Sequence, residues 1–151
     1  MGQGDTMIRV ITTLAPWIAI GLWVIPPMLI NLEPSENWYR IGSITVSDAN
    51  SGDPIYMTVS RVISKPLVGN WGVTIRKVTN EGTEIACVSS GTTTYRTDAI
   101  LPKPLTLDWW TYPVKCVLAP GRYRLDTVWQ FDVAYGVAQT VTAESNVFQV
   151  R

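Results

Sequence analysis

The stretch Tyr123-Arg-Leu-Asp-Thr-Val-Trp-Gln-Phe-Asp-Val133 decides the fold class of this chain of 151 residues. Its odd-numbered positions are mostly apolar or aromatic, whereas Arg, Asp and Gln occupy most of the even-numbered positions. Alternate side chains of a strand point to opposite faces, so this period of two places one face in a core and the other in water. The stretch therefore predicts a half-buried β-strand, with Tyr123 and Trp129 on the core face.

The same period of two recurs on both sides of this strand, from residue 41 to the C-terminus. Turn-forming residues separate the segments, such as Asn80-Glu-Gly82, which is a tight hairpin signal. A change of phase in the last segment, residues 139–150, predicts a β-bulge near Ser145. The spacing predicts an all-β domain of about seven strands. Residues 83–88, after the turn at Asn80-Glu-Gly82, are predicted to form one strand. The other predicted strands have the core faces Ile44/Val46, Ile55/Met57/Val59, Trp71/Val73/Ile75 and Leu105/Leu107/Trp109.

Two local motifs resemble immunoglobulin-like and fibronectin-III-like β-sandwiches. Trp71 falls on the third predicted strand, where these domains bury a core tryptophan. The stretch Leu118-Ala-Pro-Gly-Arg-Tyr123 resembles a tyrosine corner, in which a Tyr hydroxyl bonds to nearby backbone before the penultimate strand. Antibody domains place a Cys two residues after that Tyr, but Leu125 stands there in this chain. The resemblance implies the sandwich fold, with Trp71, Tyr123 and Trp129 as fold-defining core residues, and not an antigen-binding use.

Charge and residue usage exclude several classes of function. Lys+Arg and Asp+Glu each number 12, and charged residues make up 16% of the chain, so a basic nucleic-acid-binding surface is not expected. The sequence contains no histidine, which removes Ser-His-Asp and Cys-His catalysis and His-ligated zinc. We therefore predict a protein without a cofactor or metal site that is not an enzyme. A hydrolase that uses only carboxylates is the remaining catalytic alternative.

An uncharged hydrophobic run extends from Val10 to Ile30. As a helix it would be roughly 31 Å long, close to the thickness of the hydrocarbon core of a bilayer. Tryptophans often lie near membrane interfaces, and membrane helices tolerate prolines when neighbouring groups satisfy the freed carbonyls. The tryptophans and prolines of this predicted membrane helix are Pro16, Trp17, Trp23, Pro26 and Pro27.

Three interpretations of the hydrophobic run remain open. The length favours an uncleaved signal anchor, because a cleaved signal peptide has a shorter apolar core followed by small residues at the cleavage site. The third interpretation is an oligomerisation helix that is buried between subunits. Residues 1–32 are thus predicted to be a tail and hydrophobic helix, residues 33–40 a linker, and residues 41–151 the β-sandwich domain.

The two cysteines, Cys87 and Cys116, predict a disulfide. An even cysteine count in a small domain beyond a membrane segment indicates an oxidising compartment. Closing a loop of about 30 residues would stabilise the domain by roughly 3–4 kcal/mol. The alternative is a pair of buried thiols in a reducing cytoplasm.

Residues 108–112, Asp-Trp-Trp-Thr-Tyr, form the densest aromatic cluster. If they belong to a strand, Trp109 enters the core with Leu105 and Leu107, and Trp110 lies on the outer face. An exposed Trp110, together with Asp108 and Tyr112, would be a candidate contact surface for a partner, a glycan or a membrane. The alternative is that Trp110 packs beneath a loop such as residues 92–104.

The chain also resembles short uncharacterised proteins of tailed bacteriophages, which join a hydrophobic segment to a small β domain. The stretches that carry this resemblance are residues 69–76, 105–111 and 120–127. It implies a viral or prophage source and no particular activity. The hydrophobic run and the predicted disulfide together predict a single-pass, membrane-anchored binding or structural module, with its C-terminal domain on the periplasmic or outer side. The expected partners are the lipid bilayer and an unknown protein, and the chain could form a homo-oligomer. The alternative is a virion structural protein, in a capsid decoration or a tail, whose helix is buried between subunits.

Overall fold

The computed structural model describes residues 37–133 and 137–151. The predicted membrane helix, residues 10–30, lies outside these ranges. Among the described residues, no helix reaches the length and apolar character of a membrane span.

The described residues contain eight strands and one helical turn, arranged in two antiparallel sheets. The first sheet has the order β1-β2-β5, and the second has the order β4-β3-β6-β7, with β8 also paired to β6. These two sheets confirm the prediction of an all-β domain. The bounds are β1 Tyr39–Val46, β2 Tyr56–Ile63, β3 Leu67–Val78, β4 Thr83–Tyr95, β5 Leu105–Thr106, α1 Leu107–Trp110, β6 Gly121–Val133, β7 Val137–Glu144 and β8 Phe148–Val150.

The core lies between the two sheets, and β6 contributes the most buried side chains to it. Every second residue of β6 from Tyr123 to Phe131 is buried, as the period of two predicts. β3 runs beside β6 in an antiparallel register that sets Val73 opposite Thr127 and Ile75 opposite Leu125. The first sheet covers this face with the buried side chains Ile44, Val46, Met57 and Leu105.

A long hairpin joins β3 to β4 across the turn predicted at residues 80–82. The Thr79 backbone N–H donates to the Gly82 carbonyl at 2.8 Å, and Gly82 has a φ of 144°, which L side chains rarely adopt. β4 continues to Tyr95, well beyond the predicted end at residue 88. The extension contains mainly Ser, Thr and Gly, so it lacks an apolar alternation and is held by pairing with β3.

The C-terminal strand is interrupted at Ser145, as its change of phase predicts. β7 pairs with residues 126–133 of β6, and β8 pairs with residues 121–123. Between them, the Ser145 backbone N–H donates to the Leu125 carbonyl at 2.8 Å, and the Leu125 N–H donates to the Ser145 hydroxyl at 3.0 Å. The serine side chain thereby replaces the ladder bond that the bulge removes.

The side chain of Asn146 ties this interruption to β1. Its Oδ1 accepts from the Val46 backbone N–H at 2.8 Å, and its Nδ2 donates to the Val46 carbonyl at 2.9 Å. A parallel bridge joins Ile44 to Ser145, and another joins Ala49 to Val150. β1 of the first sheet is therefore hydrogen-bonded to the segment between β7 and β8 of the second sheet.

The hydroxyl of Tyr123 donates to the Ala119 carbonyl at 2.6 Å, which is the geometry that the tyrosine-corner resemblance implies. The ring is buried at 2% exposure and packs beside Phe148 at a centroid distance of 5.9 Å. Burial raises the pKa of Tyr123 because the ionised phenol would be poorly solvated there.

The structure corrects the predicted boundary between linker and domain. Tyr39 and Arg40, which the prediction assigns to the linker 33–40, are the first residues of β1. Tyr39 is fully buried, with its ring centroid 5.2 Å from those of Tyr95, Trp129 and Phe131. The sequence signal was hidden because only Tyr39, of the residues just before position 41, faces the core.

The predicted strand through Leu105, Leu107 and Trp109 is present only at Leu105, and the remainder of the prediction is wrong. β5 ends at Thr106, and the chain then forms the helical turn α1. Thr106 caps this turn, because its hydroxyl accepts from the Trp109 backbone N–H at 3.4 Å. Of the three alternating apolar residues, Leu105 therefore lies in a strand, whereas Leu107 and Trp109 lie in a helical turn.

We predict that Asn146→Ala lowers the free energy of unfolding by about 1–3 kcal/mol, because the backbone N–H and C=O of Val46 lose their partners. Urea denaturation of the full chain measures the change. Asn50→Ala is the matched control, since the Asn50 amide bonds only to the exposed Asp53 carboxylate. A control variant as destabilised as Asn146→Ala would contradict this assignment.

Candidate functional site

β5 is the shortest strand of the first sheet, and its shortness leaves one side of the domain open. Its two residues pair with Tyr56 and Met57, so residues 58–63 of β2 have no partner on that side within the described chain. Across the gap, β4 of the second sheet extends to Tyr95. A groove of about 450 Å³ lies here, and we call it the aromatic groove. The residues used below to describe its chemistry are Arg61, Trp71, Thr93, Trp109, Trp110 and Tyr112.

The helical turn α1 determines which tryptophan is buried. Residues three apart share a helix face, so Leu107 and Trp110 both point into the core. Trp110 is 8% exposed and Trp109 is 50% exposed, which reverses the prediction that Trp109 is inside and Trp110 on the outer face. The prediction was wrong because it applied the period of a strand to a helical turn.

Trp110 is held in place by one hydrogen bond and one ring contact. Its indole Nε1–H donates to the Thr127 hydroxyl at 3.3 Å, and its ring lies edge-on to Trp129 at a centroid distance of 6.3 Å. The alternative prediction, that Trp110 packs beneath a loop, agrees better with the structure. Ala99 and Ile100, from the segment 92–104, line the same groove as Trp110.

The three residues predicted as a contact surface separate into two sets. Trp110 and Tyr112 both line the aromatic groove, and Tyr112 is 73% exposed. Asp108 is exposed on the first turn of α1 but does not line the groove. Trp109, which the alternation assigns to the core, is instead half exposed and lines the groove.

The disulfide between Cys87 and Cys116 is present, which confirms that prediction. It joins β4 to the segment between α1 and β6, with a Cα–Cα distance of 5.9 Å. Thr111, at the start of this segment, is fully buried, and its hydroxyl lies 3.1 Å from the Leu107 carbonyl and 3.0 Å from that of Val114. The segment that carries Tyr112 is thus fixed at both ends.

Trp71 lies over a glycine on the neighbouring strand, and it is half-buried and packs against the core cluster. A Cβ at Gly91 would approach Cζ2 of Trp71 to 2.9 Å, and Cε2 and Nε1 to 3.1 Å. The absence of a side chain at Gly91 lets the indole lie close against β4. Trp71 is on the inner face of β3 and also lines the groove.

Arg61 is the one charged residue among the described groove-lining residues. It follows Met57 and Val59 on the inward-facing positions of β2, and it is half-buried. Its Nε is buried without a hydrogen-bond acceptor, and no carboxylate of the described chain forms an ion pair with it. Arg61 is not among the predicted site residues, although its place at a core-facing position of the alternation in β2 is the signal that identifies it.

Two buried phenols lie beside this guanidinium. Burial raises the pKa of Tyr95 to about 12, and the positive charge of Arg61 partly opposes that rise. Burial also raises the pKa of Tyr39, where the neighbouring Tyr95 adds to the effect and Arg61 again opposes it. Both phenols are therefore neutral at ordinary pH, and the charge of Arg61 is not balanced by either.

We predict that the stability of the full chain falls as the pH rises from about 10 to 12. Unfolded tyrosines ionise near pH 10, whereas folded Tyr39 and Tyr95 stay protonated, so the unfolded state gains stability by about 1.4 kcal/mol per pH unit for each group. The double variant Tyr39→Phe, Tyr95→Phe should flatten this slope in urea titrations between pH 8 and about 12.

Tyr112→Phe is the matched control, because it removes an exposed phenol from the same groove. It should keep the slope of the parent protein. The assignment would be contradicted if the double variant were as alkali-sensitive as the parent.

Comparison of the chain with family models, with curated proteins and with solved structures finds no match. The interpretation of the groove therefore depends on its own residues.

Proposed function

We propose that this protein is a non-catalytic, membrane-anchored binding module, whose immunoglobulin-like sandwich is displayed on the periplasmic or outer side and contacts its partner through the aromatic groove. The observation that carries the proposal is the groove itself. Exposed aromatic rings that surround a concave, partly polar site are typical of ligand-binding surfaces. The resemblance to phage proteins supports a phage-encoded module.

The strand order supports an immunoglobulin-like or fibronectin-III-like domain. The two sheets have the orders β1-β2-β5 and β4-β3-β6-β7, and β8 also pairs with β6. If β7 and β8 are counted as one last strand, this is the strand order of a seven-stranded sandwich of that kind. The hydrogen bond from Tyr123 to Ala119 supports the same assignment. The disulfide is different from that of antibody domains, since it links β4 to the segment before β6.

The disulfide also supports an oxidising compartment. Disulfides persist in secreted and periplasmic proteins and are rare in reducing cytoplasm. The segment from Val10 to Ile30 supports an anchor, because an uncharged run of this length is typical of a membrane helix. Anchoring would hold the domain near other envelope components and raise its effective concentration there.

The lining of the groove favours binding over catalysis. Its polar groups are threonine hydroxyls, tryptophan N–H groups, the phenols of Tyr95 and Tyr112 and the guanidinium of Arg61, and no carboxylate or cysteine lines it in the described chain. General acid–base catalysis would require a positioned group that titrates near neutral pH.

We predict that the full chain, expressed in a bacterium, stays in the membrane fraction and needs detergent for extraction. Its two cysteines should react with an alkylating reagent only after reduction, because Cys87 and Cys116 are oxidised. The double variant Ile20→Lys, Leu22→Lys should leave the membrane fraction and contain free thiols, since two charges within the run oppose insertion.

Val62→Lys, Val117→Lys is the matched control, because it adds the same charges at exposed positions of the domain. It should behave as the parent protein does. Soluble parent protein with free thiols would contradict the anchor. Recovery of the parent chain in assembled particles without detergent would favour a virion structural protein instead.

A further inference from the structure

We propose that the aromatic groove binds an acidic saccharide, with the Arg61 guanidinium pairing with the carboxylate of the sugar and the exposed tryptophans packing against the sugar ring. This inference rests on the proposed binding role of the groove and names the ligand class. It is carried by the juxtaposition of several aromatic rings and threonine hydroxyls with one cation that has no ion-pair partner in the described chain.

The charge of the groove indicates an anionic ligand. Burying a cation is costly unless it is paired, and the Nε of Arg61 is buried without an acceptor in the described chain. The two phenols beside it stay neutral because burial raises their pKa values. A planar guanidinium is suited to a carboxylate, which it can bind through two parallel hydrogen bonds. The same charge disfavours a quaternary ammonium ligand, which aromatic sites otherwise accept.

The aromatic residues indicate that the ligand also has apolar faces. Trp109 is half exposed and Tyr112 largely exposed, and the indole of Trp71 lies against β4 where Gly91 leaves room for it. A pyranose ring has C–H groups on its faces and hydroxyls around its edge, so it can pack against such rings while its edge stays polar. A simple inorganic anion would leave these rings without a contact.

The hydroxyl groups favour a saccharide over a peptide. Thr93 is on the same face of β4 as Gly91 and is exposed within the groove. A threonine hydroxyl both donates and accepts, which suits the hydroxyls of a sugar. The groove volume of about 450 Å³ also lies in the usual range for small-ligand sites.

The test measures Kd values of the full chain in detergent by calorimetry, with oligogalacturonate and sialyllactose as the acidic probes. Their neutral counterparts are methyl-esterified oligogalacturonate and lactose. We expect at least one acidic probe to bind, and its neutral counterpart to bind about tenfold more weakly or worse, because the charge-assisted hydrogen bonds are lost.

Two variants separate the parts of the site. Arg61→Gln should weaken the acidic probe by about tenfold and leave the neutral counterpart unchanged. Trp109→Ala should weaken both probes. The matched controls are Arg122→Gln and Tyr56→Ala, which remove an exposed cation and an exposed aromatic ring outside the groove, and neither should change binding.

Thermal unfolding of each variant shows whether the domain remains folded. The Arg61 Nε has no hydrogen-bond partner in the described chain, so Arg61→Gln removes none from that atom, and an unchanged Tm would show that the variant remains folded. Gly91→Ala gives a second measurement, since a Cβ there displaces the indole of Trp71 without removing any polar group of the groove. It should weaken acidic and neutral probes alike.

Three outcomes would overturn the inference. If acidic and neutral probes bound equally and Arg61→Gln had no effect, the proposal of an acidic ligand would be wrong, although the groove would still be a binding site. A short peptide with a free carboxylate that binds more tightly than every saccharide would replace the ligand class. Failure of all four sugars to bind would overturn the proposal of a saccharide ligand. The proposed anchored module would not be affected, because membrane fractionation and thiol alkylation test it separately.

Discussion

The burial of aromatic rings on the inner face of β6 is the interaction on which the rest of the described structure depends. Trp129 and Phe131 contact Tyr39 from the first sheet and, through Phe131, Tyr95 from the end of β4. One cluster therefore joins β1, the long hairpin of β3 and β4, and β6. Large aromatic side chains bury 150–250 Å² each, so such a cluster contributes much of the stability of a small domain. The hydrogen bonds between Asn146 and Val46 then join β1 of the first sheet to the segment between β7 and β8 of the second sheet.

The groove is a consequence of how this core ends. Because β5 has two residues, the first sheet does not cover the whole inner face of the second sheet, and residues from β2 and β4 remain accessible. The helical turn α1 fills part of the gap with Leu107 and Trp110 and leaves Trp109 at the rim. Binding sites are often found where a regular scaffold is interrupted, since loops and short elements there can carry side chains that the core does not need.

The regular elements could be predicted from the residues because each has a local signal. Alternation identified β6, the turn at Asn80-Glu-Gly82 located the long hairpin, and the change of phase before Phe148 located the bulge. The disulfide followed from the cysteine count. The site could not be predicted in the same way: the short stretch around Trp109 fits either a strand or a helical turn. The capping of that turn by Thr106 and the contact of Trp110 with Trp129 decide between them.

The sequence by itself determined the all-β class, most strand positions and the residues able to form a disulfide, because backbone period and turn chemistry act over a few neighbouring residues. Only the tertiary structure decided that Tyr39 belongs to the core, that Trp110 is inside and Trp109 outside, and that Arg61 faces aromatic rings without a carboxylate partner in the described chain. These features join residues far apart in the chain, so they depend on how the two sheets meet and on where β5 ends.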